Sequence, residues 1–401
     1  MNARRFTARL LTIAVALAAP AVAATPAEQA QATIDKGLAF LKTQQQPDGG
    51  WQASDRHPPA ITALALRAFV QDDKYDSKTD FVARGFTKLL GYQTSEGGIY
   101  KDLLANYNTA ISVSALIHAE DKAFQPQIDK AIAYLKQLQW TEETKPEFVN
   151  DKEKFTGQQV VKGSDDPFYG GWGYGGRSRG AGRPDLSNTQ FAVEALRDSG
   201  VPANDPAMQK ALQFIARCQN NSETNDQQWA GNDGGFVYGP SDDRSGESFA
   251  GATTDAGGKR QLRSMGTMSY AGLKSMIYAG LNRDDARVRA VWAWINQNFT
   301  LEENVGLAAA KPEAAKSGLL YCWLSTAKAL RAYGKPQLKS PDGKTTDWRV
   351  ALIEKAAAEQ KPDGSWVGYK AVMEDNPILA TSYVVLALQE AQADLKAHPA
   401  K

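Results

Sequence analysis

The chain has 401 residues, with 46 Lys and Arg against 45 Asp and Glu, and a formal net charge of +1 gives no reason to expect nucleic acid or an anionic membrane as partner. Two cysteines, Cys218 and Cys322, are too few for a disulfide framework and read as small buried hydrophobes. No run after the N-terminus approaches the roughly 20 continuous apolar residues of a transmembrane segment.

Taken in chain order, the first element is an expected secretory signal over residues 1 to 23. Arg4, Arg5 and Arg9 make a basic start, Leu10 to Ala18 is apolar, and Ala21, Val22 and Ala23 offer small residues at cleavage spacing. This predicts a secreted or periplasmic protein. Residues 24 to 395 are then expected to form a single domain of six repeated units. The first unit carries Lys36-Gly37, Phe40-Leu41, Gln45, Gly49 and Trp51; the second carries Arg84-Gly85, Leu89, Gln93, Gly97 and Ile99. The third opens with Lys130-Ala131 and Gln139 and reaches Gly171-Trp172 only after a long insertion. The fourth runs from Lys210-Ala211 and Gln219 to Gly234-Gly235-Phe236. The fifth keeps Arg289-Ala290 and Trp294-Ile295 without the glutamine, and the sixth restores Gln360, Gly364 and Trp366.

A second helical segment follows each turn. Thr62, Thr109, Thr189, Ser269, Trp323 and Thr381 occupy equivalent places in these segments. In each unit one helix has an apolar stripe and a polar back, and the other is apolar or small all round; the second type is buried. Six such pairs predict an all-α (α/α)6 toroid, with six outer and six inner helices. The Asp-Gly turn is expected to end each outer helix, with the glutamine capping carbonyls at that end and the tryptophan packing over it.

These repeats resemble the squalene cyclase and protein prenyltransferase superfamily of α/α toroids, whose QW repeat the first unit matches throughout. The stretches "GGWGYGGRSRGAGRPDLSNTQFAVEAL", "MGTMSYAGLKSMIYAGL" and "QKPDGSW" are similar to exported bacterial proteins carrying these repeats. The resemblance implies the fold and a central cavity for an isoprenoid. Its chemistry is not carried over: Asp165-Asp166 and Asp242-Asp243 lack the Asp two places earlier that an Asp-x-Asp-Asp acid needs. Ala216 and Leu320 stand where a zinc-binding Asp would precede Cys218 or Cys322, so neither metal nor cofactor is expected. Asp72, Asp73 and Asp76 fit an Asp-Asp-x-x-Asp pattern, but they fall in a polar connection at the end away from the glycine-aromatic loops and read as a solvated loop.

A site is expected where the inner helices begin. Asp185, which also suits a helix cap, and His57 are the candidate acid and base. Asn108, Asn188, Gln190, Trp172, Tyr174, Tyr270, Tyr321, Trp323 and Tyr383 are the candidate cavity residues, with Arg177 and Arg179 on a glycine-rich lid. Three functions compete: an enzyme or binder for an isoprenoid or other lipid, a polysaccharide lyase or hydrolase using the arginines and His57, and a non-catalytic binding ring. A small-molecule lipid or carbohydrate is the expected partner.

Overall fold

A computed structural model describes residues 24–51, 58–142, 163–175, 183–240 and 249–399. The expected signal, His57, Arg177 and Arg179 lie outside them. Among the described residues, six outer helices are α1 (Pro26–Thr43), α3 (Asp80–Leu90), α5 (Gln125–Leu138), α7 (Pro206–Arg217), α9 (Ala286–Asn298) and α11 (Trp348–Glu359). The six inner ones are α2 (Pro58–Val70), α4 (Ala105–His118), α6 (Leu186–Asp198), α8 (Gly266–Tyr278), α10 (Leu319–Tyr333) and α12 (Pro377–Ala397). Each inner helix packs on the next, and α12 returns to α2, so the inner ring is closed. Two short antiparallel hairpins, Ala252–Thr254 with Arg260–Leu262 and Gln337–Lys339 with Thr345–Asp347, decorate it.

Helix α1 starts with a capping box: Thr25 Oγ1 accepts from the Glu28 amide, Glu28 accepts from the Thr25 amide, and Pro26 occupies the first turn. Its buried residues, Ile34, Leu38 and Leu41 among them, form one stripe. Inner helices are buried on every face; in α12 burial is unbroken from Ile378 to Gln392.

The loops between outer and inner helices are held by three repeated bonds. Gln45 Nε2 donates to its own loop at Gly49 O (2.8 Å) and to the next outer helix at Phe81 O (2.7 Å). Gln93 repeats this with Gly97 and Gln127, Gln139 with Gly170 and Ala207, and Gln219 with Gly234 and Arg287. Gln360 closes the circle by reaching Gly364 and, across the chain ends, Thr33 of α1. The indole of Trp51 caps the outer helix instead, donating to Leu41 O at 2.7 Å, and Trp172 and Trp366 do the same to Leu135 and Ala356. The glutamine thus bridges to the neighbour, and the tryptophan performs the capping expected of the glutamine.

The third bond joins loop to inner helix. The amides of Trp51, Ile99, Trp172, Phe236 and Trp366 donate to the hydroxyls of Thr62, Thr109, Thr189, Ser269 and Thr381 at 2.9 to 3.1 Å. Gly49 has φ +91°, and a Cβ there would lie 2.6 Å from Arg84 O. Both facts require glycine. In the fifth unit, which lacks the glutamine, Asn304 ties the loop to the start of α8 by accepting from the Thr267 amide (3.0 Å) and donating to Ser317 O (3.0 Å).

Candidate functional site

The N-terminal ends of the inner helices and the loops beside them line a cavity of about 610 Å³ that opens to solvent. Tyr107, Phe191, Tyr321, Tyr383, Met268 and Leu379 form much of its wall. The rings interlock: Phe191 stacks on Tyr321 with centroids 5.8 Å apart, and Tyr107 meets Phe191 edge-on at 5.3 Å. Phe249 and Val372, both largely exposed, also line it.

Of the residues expected at the cavity, Tyr174, Tyr321 and Tyr383 line it. Asn188 and Gln190 lie just behind the wall: Asn188 bonds Asp185, and Gln190 Nε2 donates to the Tyr321 hydroxyl at 2.8 Å. Four others are placed elsewhere. The ring of Trp172 is taken up by the loop, and Trp323 donates its indole N–H to Leu301 O (3.1 Å), the counterpart bond in the fifth unit. Asn108 caps α2 by accepting from the Ala60 amide at 3.0 Å, and Tyr270 is buried beside Cys322 and Thr326. Each points between helices rather than toward the axis.

Asp185 is the N-cap of α6, accepting from the Asn188 amide (2.7 Å) and side chain (2.8 Å). It does not itself line the cavity. The Tyr238 hydroxyl beside it does, and pairs with Tyr174 at 3.4 Å. Burial pushes the Asp185 carboxyl up to about 7, against the opposing bonds from Asn188 and Tyr238. Glu374 is a wall residue that sequence reasoning missed. Reaching in from the loop before α12, it accepts from the Tyr321 amide at 2.8 Å at the start of α10. Its Oε2 is buried without a partner, and burial raises this carboxyl to about 7 as well. A lone acid in a loop carries no sequence signal for such a contact.

Below the cavity, all six inner helices contribute to a buried polar plug. Glu194 pairs with Arg67 (2.8 Å), Lys274 and Lys328, while Glu390 pairs with Arg331 and lies 3.7 Å from Arg67. Ser114 accepts from Arg67 at 2.7 Å. Burial opposes ionisation of Glu194, yet Lys274, Lys328 and Arg67 together hold it well below the usual carboxylate range. Burial, then the Arg67 charge, lowers Lys328 to about 8; the same two causes lower His118 to about 4 and leave it neutral. Burial and the nearby Glu194 raise Asp198 to about 6.

Asp72, Asp73 and Asp76 lie at this same end, away from the cavity. Asp72 accepts from Gln31 (2.9 Å) and Asp76 from the Thr79 amide (2.8 Å), so both serve the loop. Among the described residues no helix is long and apolar enough to cross a membrane.

No family model and no curated protein matches the chain. Solved structures do: the type II terpene cyclase MstE from Scytonema aligns with TM-score 0.51 and 13% identity, over 92% of this chain and 99% of that one. An unsaturated glucuronyl hydrolase specific for heparin gives 0.54 and 12%, over 92% and 98%. A family 76 glycoside hydrolase from a bovine Bacteroides thetaiotaomicron strain gives 0.52 and 9%, over 91% and 78%. The fold is therefore an α/α toroid, an architecture common to the terpene cyclase and the two hydrolases.

Proposed function

We propose that the protein is an exported toroid that binds, and through its cavity acids transforms, an isoprenoid or other lipid. The supporting observation is the cavity itself: aromatic and aliphatic walls line about 610 Å³, and Lys311 is the only cation among its described lining residues. Such a wall gains by covering apolar ligand surface and offers little to a polyanionic sugar. Asp185 acting through Tyr238, and Glu374 in the wall, are the proposed proton donors, since a carboxyl titrating near neutrality can both give and take a proton at working pH. Export rests on the basic and apolar N-terminus.

The test is native mass spectrometry of the protein isolated from the exported fraction, with N-terminal sequencing and solvent extraction of whatever co-purifies. A stoichiometric isoprenoid or other lipid supports the proposal, and Asp185→Asn then tests turnover. Protein that carries no lipid, takes up none, and instead binds anionic oligosaccharides would replace it with a carbohydrate-active toroid using Arg177, Arg179 and His57.

A further inference from the structure

The hydroxyls at the inner end of the cavity have a hydrogen inventory that can be counted. Lys274, ion-paired with Glu194, carries an ammonium that can only donate. It donates to Gln190, so the amide oxygen faces the lysine and Nε2 is turned toward Tyr321. Nε2 donates to the Tyr321 oxygen at 2.8 Å. That oxygen is therefore an acceptor, and its own hydrogen must go elsewhere. Ser187 Oγ lies 3.2 Å from it. Two hydroxyls joined by one contact spend one of their two hydrogens on it. One O–H, from Tyr321 or Ser187, is left over, and both residues line the cavity.

A second pair repeats the count. Tyr107 and Tyr383 share a hydroxyl contact of 3.1 Å and both line the cavity, leaving another hydrogen in excess. The rings of Tyr321 and Tyr383 are 5.6 Å apart, so the two hydroxyl pairs belong to one wall of the cavity. The nearby Glu374 Oε2 takes neither, being without a partner.

We infer that the inner end of the cavity is a subsite for an acceptor oxygen, and that the ligand is an apolar molecule whose inward end bears a carbonyl, ether or hydroxyl oxygen held by Tyr321. Gln190 and Lys274 are the positioning residues. This rests on the lipid reading above and narrows its ligand class.

The experiment is displacement of 1-aminoanthracene from the whole protein by farnesylacetone and by the hydrocarbon of equal length lacking the carbonyl, with infrared spectra of the bound ketone. The ketone should bind about tenfold more tightly, as one well-made hydrogen bond allows, and its carbonyl stretch should shift to lower frequency. Tyr321→Phe should cut the ratio of ketone to hydrocarbon affinity by at least about threefold and move the band back. Ser187→Ala should keep the preference, because the Tyr321 hydrogen then has only the ligand to meet. Equal affinity for both probes with an unshifted band overturns the subsite while leaving the lipid cavity standing, and so does a Tyr321→Phe protein that behaves as wild type. Failure of both probes to displace the dye overturns the lipid reading and this inference together.

Discussion

Replacing Glu194 by Gln tests the plug beneath the cavity. The side chain keeps its size but loses the charge that Arg67, Lys274 and Lys328 share, and the four side chains are only 2% to 6% exposed. Removing one partner of a buried ion pair costs about 3–5 kcal/mol, because a charge is left uncompensated. Here three cations lose the carboxylate they share, while Glu390 still acts on Arg67 and Lys328 and Asp198 on all three. With those two carboxylates left in place the loss should stay within that range, about 3–5 kcal/mol, a large part of the roughly 5–15 kcal/mol that holds a protein folded. Equilibrium urea unfolding followed by circular dichroism measures it. Lys74→Ala is the control, since its pair with Asp35 is about half exposed and should be worth about 0–1 kcal/mol. Adding Lys328→Met to Glu194→Gln should recover part of the loss by removing one unpaired cation. A Glu194→Gln cost near that of the control, or no recovery in the double variant, would refute the argument.

The Asp185 carboxyl titrates near 3.8 unfolded and about 7 folded, so its stabilising contribution is complete below pH 4 and is lost as pH rises through 7. Relative to Asp185→Asn, the wild type should lose on the order of 4 kcal/mol across that window, read from urea midpoints at a series of pH values. Gln360→Ala leaves two carbonyls without their donor where the ring closes, and should cost about 1–3 kcal/mol with faster amide exchange confined to α1 and α11. At Gly37 a Cβ would sit 2.6 Å from Val385 and 3.1 Å from Trp366, so Gly37→Ala should destabilise by about 1–3 kcal/mol in thermal or urea unfolding.

The toroid was legible because its devices are local. Gln45 bonds Gly49 four residues on and Trp51 caps Leu41 ten residues back; the four-residue spacing returns at Gln93 and Gln360, and insertions stretch it to 31 residues at Gln139 and 15 at Gln219 without changing the order of the partners. Even the row of Thr and Ser on the inner helices, found by alignment alone, marks one hydrogen bond made five times. Asp185 could be placed at a helix start for the same reason.

The site was not legible to that degree. An amphipathic helix shows in its sequence which face is inside, but an inner helix buried all round has no such phase. Nothing in the chain therefore separates Tyr321, which faces the axis, from Trp323 two residues later, which faces its outer neighbour. Glu374 meets Tyr321 across 53 residues, and Glu194 meets Arg67 across 127. The sequence by itself determined how many helical pairs there are, because each pair repeats the same residues in the same order; that the glutamine bridges to the neighbour while the tryptophan caps its own helix came from the structure. Which side chains meet on the axis was decided only by closure of the ring, which brings six distant helix ends to one point.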